Sequence, residues 1–247
     1  FSGAVRELLT ALQEDEQAGR TSSEERLQLL ANCYLRLNDN GGYVDTLERL
    51  LAHYPKKSYW LDLVSRLQKK PAFSDRFALD VMRLQFATGN MLDANDYVYM
   101  AQLALQAGLP GEAKKVLDQG FAKNVLGVGG EGERHKRLRD LAAKQLTDDL
   151  KQLPDNEKQA MADKDGNALL AVGHAYVSAG QSEHGLGLME QAIAKGGLKR
   201  PADARLHLGE AYLAAGKRDK AIQTLKGITG SDGVQDLARL WVIYAKQ

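Results

Sequence analysis

The sequence predicts an all-α protein built as an array of helical repeats, and three observations carry that prediction. Apolar residues recur at the i, i+3, i+4 and i+7 spacing of one helix face along most of the chain. The pattern Leu208, Gly209, Tyr212, Gly216, Ala221 returns about 36 residues upstream as Val172, Gly173, Tyr176, Gly180, Gly185. Glycine is abundant at 24 residues while proline stands at five. That balance suits many short helices closed by tight glycine turns and excludes collagen-like or disordered chains.

The elements follow in order. Val5, Leu8, Leu9 and Leu12 mark an amphipathic leading helix over residues 4–18. Ser22 and Glu25 then form a capping box for the next helix. The first full repeat starts near residue 24 and reads Leu30, Ala31, Tyr34, Asn38, Tyr43, Leu47 and Leu50, closing on Pro55. The second starts near 57, with Trp60 and Leu63 in place but Arg76 where alanine is expected. The third starts near 94 and shows Met100, Ala101, Ala104, Gly108, Ala113, Leu117 and Gly120.

The next clear starts fall near 166 and 202, and the gap after 94 is twice the usual step. A degenerate repeat over residues 130–165 therefore fits between them: helical spacing at Leu138, Leu141, Ala142 and Leu146, then Pro154 and a short polar helix. The last repeat runs on through Leu225 and Ile228, matching Met189 and Ala192 of the one before. A capping helix over 234–246 carries Leu237, Leu240, Trp241 and Tyr244 on one face. Arrays of this kind need such a cap on their final unit.

Gly209 sits inside a helix, where glycine costs about 1 kcal/mol against alanine. The expected compensation is close packing of the two helices of a pair at Gly209 and Ala221, and likewise at Gly173. Gly216 falls just past the first helix, where a left-handed residue is wanted.

A period near 34 residues with these marks resembles the tetratricopeptide repeat, or TPR. The resemblance implies a right-handed superhelix of antiparallel helix pairs forming a single solenoid over residues 1–247, acting as a non-enzymatic scaffold. In that family the first helix of each pair lines a concave groove for a partner peptide or helix. Carried over position by position, the groove comprises Gln28, Asn32 and Arg36; Asp62, Ser65 and Lys69; Gln102 and Gln106; His174 and Ser178; and Asp203, His207 and Glu210. Of the lysine, asparagine and arginine clamp with which some TPR domains grip a C-terminal carboxylate, only Asn32 and Arg36 are matched.

Two stretches, "LLAHYPKKSYWLDL" from Leu50 and "KGGLKRPADARLHLGEAYL" from Lys195, are similar to periplasmic TPR proteins that accompany TonB, ExbB and ExbD transport systems of Gram-negative bacteria. That similarity implies a periplasmic location and a protein partner in such a complex. A second reading stays open: a structural segment of a larger envelope assembly, held by its ends and convex faces.

Composition narrows the alternatives. A net charge of +1, from 33 basic and 32 acidic residues, gives no field to steer the chain toward nucleic acid. The basic run at Arg134–Arg139 is flanked by Glu131, Glu133 and Asp140 and reads as a solvated helix face. Cys33 stands alone, so neither an intrachain disulfide nor a thiolate metal site is expected. No apolar run reaches the length of a membrane span. The chain opens on Phe1, as a processed or excised chain would, which places any targeting segment outside it.

Candidate chemistry is sparse. Gly127, Gly129 and Gly132 have a G-x-G-x-x-G spacing, but no strand pattern flanks them, so a flexible loop is expected instead of a dinucleotide fingerprint. His53, His135, His174, His184 and His207 show no i, i+4 pair with an acidic third ligand, and each reads as a surface histidine. No serine or cysteine lies in a nucleophile motif. The expectation is therefore a protein with no catalytic residues, no cofactor and no metal.

Overall fold

The computed structural model describes residues 1–247 and contains thirteen α-helices, one short 3-10 turn and no strand. The leading helix is α1 (Ser2–Gln17), and five helix pairs follow. They are α2 (Glu24–Arg36) with α3 (Asn40–His53), α4 (Lys57–Gln68) with α5 (Ala78–Ala87), and α6 (Ala94–Gln106) with α7 (Pro110–Ala122). After α8 (Gly132–Ala162) come α9 (Asn167–Ser178) with α10 (Ser182–Lys195), and α11 (Pro201–Ala214) with α12 (Arg218–Lys226). The chain closes with α13 (Val234–Ala245). None of these helices is long and apolar enough to cross a membrane. The all-α helical-repeat fold is as the sequence predicts.

The packing roles of the glycines are visible directly. A Cβ placed on Gly209 would lie 2.5 Å from Leu225 of α12, closer than side chains pack. One on Gly173 would lie 2.8 Å from the Gly185 carbonyl and the Met189 side chain of α10. Both pairs therefore approach to a distance that only glycine admits, and the dispersion attraction across that short gap offsets the poor helix propensity. Gly216 ends α11 in the left-handed region, with φ +74°.

Local corrections follow from tertiary packing. The cap of α2 is Ser23, whose side chain accepts from the Arg26 amide, and not Ser22. Ser22 is buried and its hydroxyl donates to Asp15 Oδ2 at 2.8 Å, which removes it from capping. The degenerate repeat expected over 130–165 is not a helix pair. It is the single 31-residue helix α8, which continues through Pro154. Proline deletes one helical hydrogen bond but does not end the helix, because packing holds it on both sides. Ala142 joins the core formed by α6 and α7, while Leu153 and Ala160 join a cluster with Leu169, Tyr176 and Leu188.

The array does not keep each repeat to its neighbours. The largest core unites α1–α5 with residues of α10–α13. The C-terminal helices return onto the first half of the chain: Arg239 Nε lies 2.8 Å from Glu48 Oε1, and the Gln247 side chain donates to the Leu51 carbonyl at 2.9 Å. The Ser74 amide donates to the Asp232 carbonyl at 2.9 Å. Arg76, the residue that breaks the second repeat's pattern, donates to Asp203 Oδ2 at 2.9 Å and also to Asp232. Its departure from the repeat consensus is explained by this closing contact.

Candidate functional site: a closed centre and an open N-terminal face

The closure divides the thirteen predicted groove positions into two sets. On α2, Gln28, Asn32 and Arg36 are exposed, and Gln28 Nε2 donates to Tyr59 Oη of α4 at 2.6 Å. On α4, Lys69 is exposed and Ser65 is half-buried, while Asp62 accepts from Tyr43 Oη at 2.5 Å and from Arg66 at 2.7 Å. Gln102 and Gln106 of α6 are exposed. Leu35 and Leu29 stand beside the α2 positions at 40% and 53% exposure, an apolar component among polar neighbours.

The remaining five face the protein's own helices. Ser178 Oγ accepts the Glu112 amide at 2.8 Å, serving the first turn of α7. Asp203 holds Arg76. His174, His207 and Glu210 enter a buried ionic cluster with α5 and α7.

Arg83 of α5 is the centre of that cluster. Its Nε and Nη2 donate to the two Glu112 carboxylate oxygens at 2.7 Å each, a bidentate fork. Its Nη1 donates to Asp80 Oδ1 at 2.9 Å and to Glu210 Oε2 at 3.1 Å. Nη2 also approaches His174 Nε2 at 3.5 Å. His207 Nε2 lies 3.0 Å from Asp80 Oδ1, and the two histidine rings stand 5.3 Å apart.

Burial sets the protonation states. It disfavours charge on Arg83, but the carboxylates of Glu112, Glu210 and Asp80 outweigh it and hold the guanidinium charged. Burial also works against an ionised Asp80, yet the His207 hydrogen bond with the His207 and Arg83 charges keeps its pKa below the ordinary value. Glu210 goes the other way: burial, then the negative charge of Asp80, push its pKa well above the ordinary carboxylic range despite Arg83. Burial and the Arg83 charge push His174 well below the usual imidazole value, so it stays neutral. Trp241 Nε1 of α13 stands against the Glu210 carboxyl and favours its ionised form, an effect weaker than burial.

Three histidines depart from the surface reading. His135 is buried and accepts the Gly127 amide at Nδ1 (3.2 Å), tying the glycine-rich loop to α8. His174 and His207 belong to the cluster, since the return of α9 and α11 onto α5 covers them. His53 and His184 are exposed. Asp80, Arg83, Glu112 and Trp241 carry no motif that singled them out. A signal was present in the i, i+3 pairs Asp80–Arg83 and His207–Glu210, and in the setting of Glu210 within α11, buried along most of Ala204–Tyr212. A carboxylate in such a run requires an internal partner.

Stacked helix pairs of this kind define a class of fold, the α-helical repeat arrays. The tetratricopeptide repeat family model matches residues 27–57 and 203–230, which cover α2 with α3 and α11 with α12. No curated protein and no solved structure shows significant similarity to the chain. Fold and matches together support a protein of the TPR type.

Proposed function

We propose that the protein binds a peptide or helix of another protein along the open N-terminal face of the array. The observation that carries this reading is the composition of that face. Asn32 and Arg36 stand exposed beside Leu35 and Leu29, with Gln102 and Gln106 exposed on α6. A mixed polar and apolar helix face of this kind suits helix-in-groove recognition. His174, Ser178, Asp203, His207 and Glu210 act through the shape of the array, because their side chains are committed to its own helices. The similarity at Leu50–Leu63 and Lys195–Leu213 supports a periplasmic setting beside a TonB, ExbB and ExbD system.

A photo-crosslinking residue at Asn32 or Gln102, in cells carrying that system, tests both parts. Crosslinks to a component of the complex from these two sites, lost on Leu35→Asp, are the expected result. The assembly reading draws on Leu150 and Met161, exposed on α8. Crosslinks from position 150 alone would transfer the function to the exposed side of α8.

A further inference from the structure

The helices that meet at the closed centre, α5, α6, α7, α9, α11 and α13, surround a cavity of about 390 Å³. That volume is at the lower end of small-molecule sites, and ten of the 16 lining residues are hydrophobic. The lining passes from the buried Met100, Val116 and Ala211 to the exposed Lys115 of α7 and Ala214 of α11, which mark its mouth. We propose that this cavity binds a small monocarboxylate with an apolar body. The body lies inside, among Phe86, Met100 and Val177, and the carboxylate stays at the mouth on Lys115 Nζ.

The charges of the lining select that head group. Arg83, Glu112 and Glu210 belong to the buried cluster and are satisfied within it. Arg83 spends Nε and Nη2 on the two Glu112 oxygens and Nη1 on Asp80 and Glu210. Glu210 gives Oε2 to Arg83, and its Oε1 has no accessible surface. None of the three offers a free group to the cavity.

Lys115 differs from them. The acids a helical turn away on α7 are spent elsewhere, Glu112 on Arg83 and Asp118 on Lys114. Lys115 therefore carries the uncompensated charge of the lining. Ser178 of α9 adds a donor close by. Its Oγ accepts the amide of Glu112, one turn before Lys115, which leaves the hydroxyl hydrogen for a carboxylate oxygen.

Other head groups fit less well. An ammonium meets the charge of Lys115 and finds no free acid. An apolar cavity without an anchor prefers an alcohol to the carboxylate of the same length, because the ionised head costs more to desolvate. The order in which the two bind therefore reports the anchor.

Isothermal titration of the intact protein at pH 7 with octanoate, 1-octanol and octylammonium tests this. Octanoate should bind one to one and about three- to tenfold tighter than octanol, with octylammonium the weakest. Hexanoate should bind more weakly than octanoate, by about fourfold per methylene removed. Two substitutions at exposed positions locate the site. Lys115→Met keeps the reach of the side chain without its charge, and should place octanol ahead of octanoate. Ala214→Trp fills the mouth and should abolish the binding of both. Should either variant fail to fold, the order of the three ligands on the unaltered protein decides alone. The proposal is overturned by no octanoate binding at millimolar concentration, or by octanol or octylammonium binding as tightly as octanoate. Octanoate binding left unchanged by either substitution overturns it as well.

Discussion

Arg83 of α5 and Glu210 of α11, 127 residues apart in the chain, meet at 3.1 Å inside the molecule. The contact joins the second helix of an early pair to the first helix of the last pair. It exists because the C-terminal repeats turn back onto α3–α5, so the inner face of α9 and α11 is covered by the protein itself. A linear solenoid would leave that face to a partner. Here it is filled by an arginine and the acids that neutralise it.

Removing that arginine should open the centre. Arg83→Leu leaves Glu112 and Glu210 without their shared donor and Asp80 with His207 as its one remaining cationic partner, a change that costs about 3–5 kcal/mol. Arg83→Lys should recover only part of the loss, since an ammonium cannot reproduce the bidentate fork to Glu112. Urea unfolding of both variants checks this. An Arg83→Leu protein as stable as the parent would show that the cluster does not hold the array closed.

Gly209→Leu tests the pairing of α11 with α12. Its side chain must enter space occupied by Leu225, and such overpacking costs about 1–3 kcal/mol. Helix propensity alone predicts the reverse sign, a gain of roughly 1 kcal/mol. The direction of the shift in thermal unfolding therefore distinguishes the two effects.

The buried carboxyl of Glu210 gives a pH dependence with a defined sign. Below its ordinary value of 4.5, folded and unfolded chains both carry the proton, and the residue contributes no slope. Above 4.5 the unfolded carboxyl ionises while the folded one, held up by burial and Asp80, does not. The stability of the parent relative to Glu210→Gln should then fall as pH rises, by at most about 1.4 kcal/mol per pH unit. His174, depressed well below 6.5, pulls the other way: as pH falls below 6.5 the unfolded imidazole takes a proton that the folded one refuses. His174 is common to both proteins, so the comparison isolates Glu210. Urea melts of the pair from pH 4 to 8 measure it, and a flat difference means an ionised Glu210 in the folded state.

Residues 128–131 form the exposed part of the glycine-rich loop before α8, with Val128 half-exposed at its start. Limited proteolysis should cut there first, because exposed loop tips with small residues admit a protease most readily. The His135 bond to the Gly127 amide anchors one end of this loop. His135→Ala should accordingly speed the cut. First cleavage within α8, beyond Ala142, would instead place the weakest point in the long helix.

The helices themselves were legible in the order of residues. First helices expected to start near residues 24, 57, 94, 166 and 202 are observed to start at 24, 57, 94, 167 and 201. Apolar spacing, glycine turns and prolines at first helical positions are all encoded in adjacent residues. The close approach at Gly209 was also readable, because a helix-interior glycine at a repeated position requires a packing partner. Pro154 shows where such local reading fails: a proline predicts an interruption, but packing of Leu153 and Ala160 carries α8 through it.

The sequence alone determined the class of fold and the course of the helices, since hydrophobic period and capping act within a turn or two of the chain. It contained Asp80, Arg83, Glu112, His174, His207 and Glu210 without indicating that they meet. Only the tertiary structure decided that, by returning the last repeats onto α5 and α7. The physical reason is that a buried charge selects its partner by distance in space, and the residues that neutralise Arg83 lie up to 127 positions away.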